Sequence, residues 1–323
     1  MLRRIMIVLG MLMVTACGSA ATPTATPGPL RAIRLPMGYI PSVQYAPFYV
    51  AQDKGYFKDA GLDITFDYSF ETNGVQLVGV NELPFAVVSA EQVLLARAQG
   101  LPVVYVMAWF QKFPVAVIVK SNSGIAAPAD LKGKTIGLPT LDGANFIGLR
   151  ALMAASGLAP EDVTLTALGF NQAPALSAGQ VDAVVVYANN EPIRLAAQGE
   201  QLNTLLVSDY VTLAANGLLS NETVIQNEPG LAHAFVGALA RGLADAIANP
   251  DEAYAISKKY VEALTDDPLE KQVLAATIEM WKTQQPGYSN PAAWETMQKT
   301  LLDTGLLAAP QDLGKAYTNQ FVP

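Results

Sequence analysis

The segment VDAVVVYANNEPIRLAAQG, beginning at Val181, runs from valines into Tyr187, Asn189, Asn190 and Glu191 and then into a helix-forming stretch. A phenol, two amides and a carboxylate at one strand end can stack on and hydrogen-bond to a polar ring, but they contain no strong nucleophile. In an open α/β sheet, ligands bind beyond the carboxyl ends of strands, where loops and helix starts leave polar groups unpaired. Asn190 and Glu191 could instead serve the first helical turn, with Pro192 at an early helical position. For Asn190, capping and ligand contact stand as equal alternatives, whereas Tyr187 and Glu191 together are assigned to a cleft. Asn189 is a further amide candidate for the same cleft.

A second stretch has the same form. FAVVSAEQVLLARAQG, ending at Gly100, also joins a strand end to a helix closing in AQG through a polar junction, here Ser89 and Glu91. Chance similarity in Ala- and Val-rich text competes with a true repeat. If the two junctions sit at comparable places in two lobes, their polar ends meet across one cleft.

Other candidates follow from placement at predicted strand ends and helix starts. Tyr39 beside Gly38, Tyr45, and Trp109 in MAWFQ offer rings on which a flat heteroaromatic solute could stack. Phe48, inside APFYVAQ, is assigned to the core. Gln44, Gln111 and Asn145 add amides that could pair with ring nitrogens, carbonyls or hydroxyls. Asp142 stands at the mouth of the helix opened by PTLDGANF, where it opposes an anion. Acidic residues at each junction therefore favour a neutral, donor-rich ligand.

The elements that must position these residues alternate. AIRLPMGYIP reads as a strand, APFYVAQDKGYFKDAG as an amphipathic helix closed by Gly61, and LDITFDYSF as a strand with period-two apolar spacing. A helix around Val75–Val80, a strand and helix through LPFAVVSAEQVLLARAQG, and strands in LPVVYVMAWF and FPVAVIVK follow. SNSGIAAPADLKGKTIGLPT then marks a domain crossover by its Ser, Gly and Pro content. Beyond it come the strand KTIGL, a helix from about Ala144 to Ser156, the strand VTLTAL and a short helix near Ala173–Ala178. After TLLVSDYVTLAANGLLS the pattern is helical nearly to the end. The expected fold is therefore α/β, with two lobes around a cleft.

At 323 residues the chain has length for roughly two domains. Its composition, 51% hydrophobic and 15% charged with a formal charge of −8, suits a globular protein and argues against nucleic acid as a partner. Arg3 and Arg4, the apolar run Ile5–Val14 and the small residues before Cys17 read as an export signal. Cys17 is the only cysteine, so no internal disulfide is possible, and VTAC resembles the bacterial lipobox. The expected organisation is a signal over residues 1–16, a lipidated Cys17 with a flexible tether over 17–30, lobe one over 31–118 and 220–323, and lobe two over 119–219. The crossovers are expected near Val117–Ser121 and Tyr210–Leu219.

MGYIPSVQYAPFYVAQDKGYFKDAGLDITF, DLKGKTIGLP and GQVDAVVVYANNEP, together with the tethered Cys17, resemble the periplasmic-binding-protein fold of ABC importers. The resemblance covers nearly all of the chain after the tether. It lies in the branch that binds thiamine pyrimidine precursors and riboflavin, with nitrate and sulfonate binders as cousins, and is nearest the lipid-anchored riboflavin-binding components. It implies an extracytoplasmic, membrane-anchored monomer whose lobes, joined by hinge strands, close over riboflavin and dock on a permease driven by an ATPase. An aminopyrimidine is the alternative ligand, and no cofactor or metal is implied.

A fungal pyrimidine synthase shares this architecture but uses a cysteine-rich segment and a histidine. Here no second cysteine exists, and the sole histidine, His233, falls among helical apolar residues. A carboxylate pair such as Glu91 with Glu191 could in principle serve glycoside hydrolysis, but no nucleophile and base within mutual reach can be named. The reading is a binder, not an enzyme.

Overall fold

In the computed structural model, which describes residues 29–264 and 268–323, alternate burial of Ile33, Leu35 and Met37 builds the first strand, β1 (Arg31–Gly38). The expected export signal, Cys17 and the expected tether up to residue 28 lie outside the described residues. Helices α1 (Ala46–Asp53) and α2 (Tyr56–Asp59) lead to β2 (Leu62–Phe70), which pairs in parallel with β1. Next come α3 (Glu71–Gly79), β3 (Ala86–Val88), α4 (Ala90–Ala98) and β4 (Val103–Ala108), whose six residues are all buried. Two-sided burial explains why β4 is a continuous apolar run and not an alternating one.

The chain then enters a second sheet. Its elements are β5 (Val115–Lys120), β6 (Thr135–Leu138), α5 (Gly143–Ala155), β7 (Thr164–Ala167), α6 (Gln172–Ser177), β8 (Ala183–Tyr187), α7 (Glu191–Ala197) and β9 (Leu202–Leu206). The strand order is β7-β6-β8-β5-β9, parallel through β7, β6 and β8 and antiparallel about β5. Because β5 already belongs to this sheet along its whole length, the chain crosses between Trp109 and Pro114. That is a few residues before the Val117–Ser121 stretch, whose apolar run is sheet interior.

The return strand β10 (Gly217–Asn221) inserts antiparallel between β3 and β4, so the first lobe is closed by a late piece of chain. Helices α8 (Glu222–Asn227), α9 (Pro229–Ala248), α10 (Pro250–Ser257), α11 (Pro268–Trp281), α12 (Pro291–Asp303) and α13 (Leu313–Ala316) follow. They complete that lobe's core, in which Trp281, Trp294, Tyr254 and Phe235 are fully buried. The two crossover segments are tied together, since the backbone N–H groups of Trp109 and Phe110 both donate to the carbonyl of Asn216, at 3.0 and 2.9 Å.

At Gly217, just after that tie, a Cβ would lie 2.0 Å from the Tyr105 hydroxyl and 2.2 Å from the Met107 carbonyl. Only glycine lets β10 approach β4 there. Gly217→Ala is expected to lower the unfolding free energy by about 1–3 kcal/mol, read as a lower urea midpoint with an unchanged slope. An unchanged midpoint would show that the strands can separate at no cost.

Candidate ligand-binding site

A cleft of about 900 Å³, including its open mouth, lies between the lobes. Its walls come from the ends of β1, β4 and β8, the starts of α3, α5 and α7, and both crossover segments. Placing strand ends opposite helix starts gathers backbone and side-chain polar groups around one space. Among the candidates read from sequence, Tyr39, Gln44, Tyr45, Trp109, Asp142, Asn145, Tyr187 and Glu191 line it.

The Tyr45 and Trp109 rings stack at 5.2 Å with a 24° interplanar angle, and the Tyr45 hydroxyl donates to the Met37 carbonyl at 2.6 Å. This fixes one aromatic wall. Tyr187 is anchored from two sides: its hydroxyl donates to Asn216 Oδ1 at 3.1 Å, and its backbone N–H donates to Glu191 Oε2 at 3.2 Å. Pairing of Tyr187 with Val115 across β8 and β5 places it at the end of the central strands. Burial holds the phenols of Tyr39, Tyr45 and Tyr187 far above the usual tyrosine range, so they act as neutral donors.

Asn190 is the residue preceding α7, yet its side chain does not cap the backbone. It donates to Glu191 Oε1 at 3.1 Å and accepts from Arg194 Nε at 2.7 Å while lining the cleft, so it braces the acid it precedes. Asn145 donates to the Val185 carbonyl at 3.1 Å. Gln44 and Trp109 differ, because Gln44 Nε2 and Trp109 Nε1 are buried without a hydrogen-bond partner among the described residues. Such donors at a cleft wall await an acceptor.

Four candidates do not line the cleft. Ser89 and Glu91 are fully buried behind Glu71: Ser89 bonds to both carboxylates, and α4 packs inward because its first turn is interior. Asn189 is also fully buried and donates across the lobes to Thr277 Oγ1 at 2.7 Å. Gln111 turns back to the Ala108 carbonyl at 3.3 Å and lines a small separate cavity. His233 lies away from the cleft, edge-on to Phe321 at 5.0 Å.

Sequence reading missed Glu71, Phe70, Phe170, Gln172 and Asn216, all of which line the cleft. Phe170 meets Tyr39 edge-on at 4.8 Å and stacks on Phe70 at 6.0 Å, bringing rings of both lobes together at the mouth. Arg194 pairs with Glu270 at 2.6 Å, a further contact between lobes.

The electrostatics are one-sided. Glu71, Asp142 and Glu191 line the cleft, and no Lys, Arg or His does so among the described residues. Burial pushes the Glu71 carboxyl up to about 7 and that of Glu91 up to about 8, the latter raised also by the Glu71 charge. Glu191 is pushed up by burial as well. Among the described residues no group of three His, Cys, Asp or Glu side chains is arranged to hold a metal.

Residues 42–253 match the model of the NMT1/THI5-like family, spanning both crossover segments and most of the cleft wall. The chain belongs to the NMT1/THI5-like family. One relative, the riboflavin-binding protein RibY of Chloroflexus aurantiacus, is 41% identical over 98% of this chain and 96% of its own length. Another, the formylaminopyrimidine-binding protein of Halalkalibacterium halodurans, is 31% identical over 69% of each chain. The alkanesulfonate-binding protein SsuA of Xanthomonas axonopodis pv. citri shares the fold, with a TM-score of 0.73 at 18% identity over 90% of this chain and 99% of that one. This NMT1/THI5-like protein therefore has the two-lobed periplasmic-binding-protein architecture, and its candidate site occupies the space between the lobes.

Proposed function

We propose that the protein is the extracytoplasmic, lipid-anchored solute receptor of an ABC importer and that its solute is riboflavin. The observation that carries this reading is the cleft itself. Rings from both lobes surround a space edged by carboxylates and amides, with no lining cation among the described residues. Such a space suits a flat, uncharged, hydroxyl-bearing heteroaromatic and repels sulfonates and phosphate esters. The name of the relative at 41% identity agrees with it.

The chemistry of the walls supports capture without turnover. Neither a thiol, an imidazole nor a lysine faces the ligand space among the described residues, so no base is paired with a strong nucleophile. Closure of the lobes removes the ligand from water and strengthens its hydrogen bonds, and the closed form is the species offered to the permease. Cys17 supplies the membrane attachment in this reading.

A thermal-shift series tests the ligand. Riboflavin at about a hundred times its dissociation constant should stabilise the protein by about 2.7 kcal/mol, while taurine and riboflavin 5′-phosphate leave the midpoint unchanged. A rise with an aminopyrimidine alone would transfer the assignment to the pyrimidine precursors.

A further inference from the structure

Glu71 occupies the first position of α3, directly after β2, and lines the cleft. Its Oε1 accepts the Ser89 backbone N–H and lies 2.6 Å from Ser89 Oγ. Ser89 Oγ also contacts Glu91 Oε1. A serine hydroxyl has one proton and cannot donate to two carboxylates at once, so one contact is made by a proton carried on a carboxyl.

The surroundings say which carboxyl carries it. Glu71 Oε1 already receives an N–H, which favours the charged form. Glu91 is fully buried and its Oε2 has no partner among the described residues, which favours the neutral acid. The chain therefore runs from the Glu91 acid proton to Ser89 Oγ and from the Ser89 hydroxyl proton to Glu71. The other ionisable groups acting on this unit are Asp142, from the start of α5, and the phenols of Tyr45, Tyr105 and Tyr187. Among the described residues, no Lys, Arg or His belongs to this set.

Among the described residues no side-chain or backbone donor bonds to Glu71 Oε2, although the residue lines the cleft. In the same wall, Gln44 Nε2 and Trp109 Nε1 are donors without acceptors, on side chains 5% and 4% exposed. The unused groups are thus one anionic acceptor and two neutral donors. An imide offers both kinds of partner, an N–H for the acceptor and carbonyls for the donors, and the isoalloxazine ring carries one.

We propose that Glu71, held ionised by Ser89 and backed by a protonated Glu91, is the specificity-determining acceptor of the cleft and takes the imide N–H of the ligand ring through Oε2. This rests on the riboflavin reading and narrows it to the edge of the ring that is recognised. An exocyclic amine lacks the flanking carbonyls and leaves Gln44 and Trp109 unpaired.

The experiment compares riboflavin with its N3-methyl derivative by fluorescence titration of the full chain between pH 5.5 and 9, in wild type, Glu71→Gln and Glu91→Gln. Wild type should bind riboflavin at least tenfold more tightly than the methylated flavin at neutral pH. Glu71→Gln should lose tenfold or more in riboflavin affinity and most of that preference. Wild-type binding is expected to weaken on the alkaline side, where the second charge enters the pair, and Glu91→Gln, a permanently neutral group, should keep the preference but lose that weakening. Equal binding of both flavins by wild type overturns the inference without any substitution, and so does an undiminished preference in folded Glu71→Gln. If wild type binds neither flavin, the riboflavin assignment falls with it.

Discussion

Trp109→Ala is expected to weaken both the fold and the ligand site. The indole is 4% exposed, stacked on Tyr45 at 5.2 Å and packed edge-on against Phe48 at 5.3 Å and Phe110 at 4.8 Å. Emptying that volume should lower stability by about 3–5 kcal/mol. Affinity should fall by about tenfold or more, because a ring contact adds roughly 0.5–1.5 kcal/mol beyond the apolar area it buries. Trp109→Phe separates the effects: it retains most of the packing but removes the unpaired Nε1 donor. Urea unfolding followed beside riboflavin titration reads both quantities, and full affinity in Trp109→Ala would place the ligand elsewhere.

Stability should also fall as pH rises from about 5 to 9 in the ligand-free protein. The sign follows from Glu91, the proton carrier of the Glu71–Glu91 pair, whose folded value of about 8 exceeds the roughly 4.3 of an unfolded glutamate. Between those limits the folded state holds more protons than the unfolded state, so raising the pH favours unfolding. The contribution is complete below about 4.3 and disappears as the pair ionises. Asp130 and Asp162, lowered by backbone hydrogen bonds, act in the opposite sense and lose their contribution only under more acidic conditions. Thermal midpoints across this range should decline in wild type and flatten in Glu91→Gln. A midpoint that rises from pH 5 to 8 would show that the pair is ionised in the folded state.

The cleft's location was legible because strand ends are legible. VDAVVVY and LPVVYVMA announce buried strands by their apolar runs, and the residues that follow, Tyr187, Glu191 and Trp109, stand at the cleft. Glu71 escaped because its helix starts without a capping side chain: Phe70 precedes it, so the helix is visible only from its apolar positions near Val75. Phe170 and Asn216 escaped for another reason, since both lie in irregular segments whose course is set by the opposite lobe. Ser89 and Glu91 sit at the expected junction but face inward, and sequence spacing alone does not show that α4 is buried in its first turn. Asn189 illustrates the same limit between lobes, where Thr277, distant in sequence, takes its amide.

Asn216 joins the two halves in one more respect. Its carbonyl holds both crossover segments, and its side chain accepts the Tyr187 hydroxyl at the edge of the ligand space. One residue thereby couples the backbone joint between the halves to a ring of the cleft wall, beside the separate side-chain ties of Asn189 to Thr277 and of Arg194 to Glu270. A substitution at Asn216 is therefore felt at the joint and at the ligand wall together.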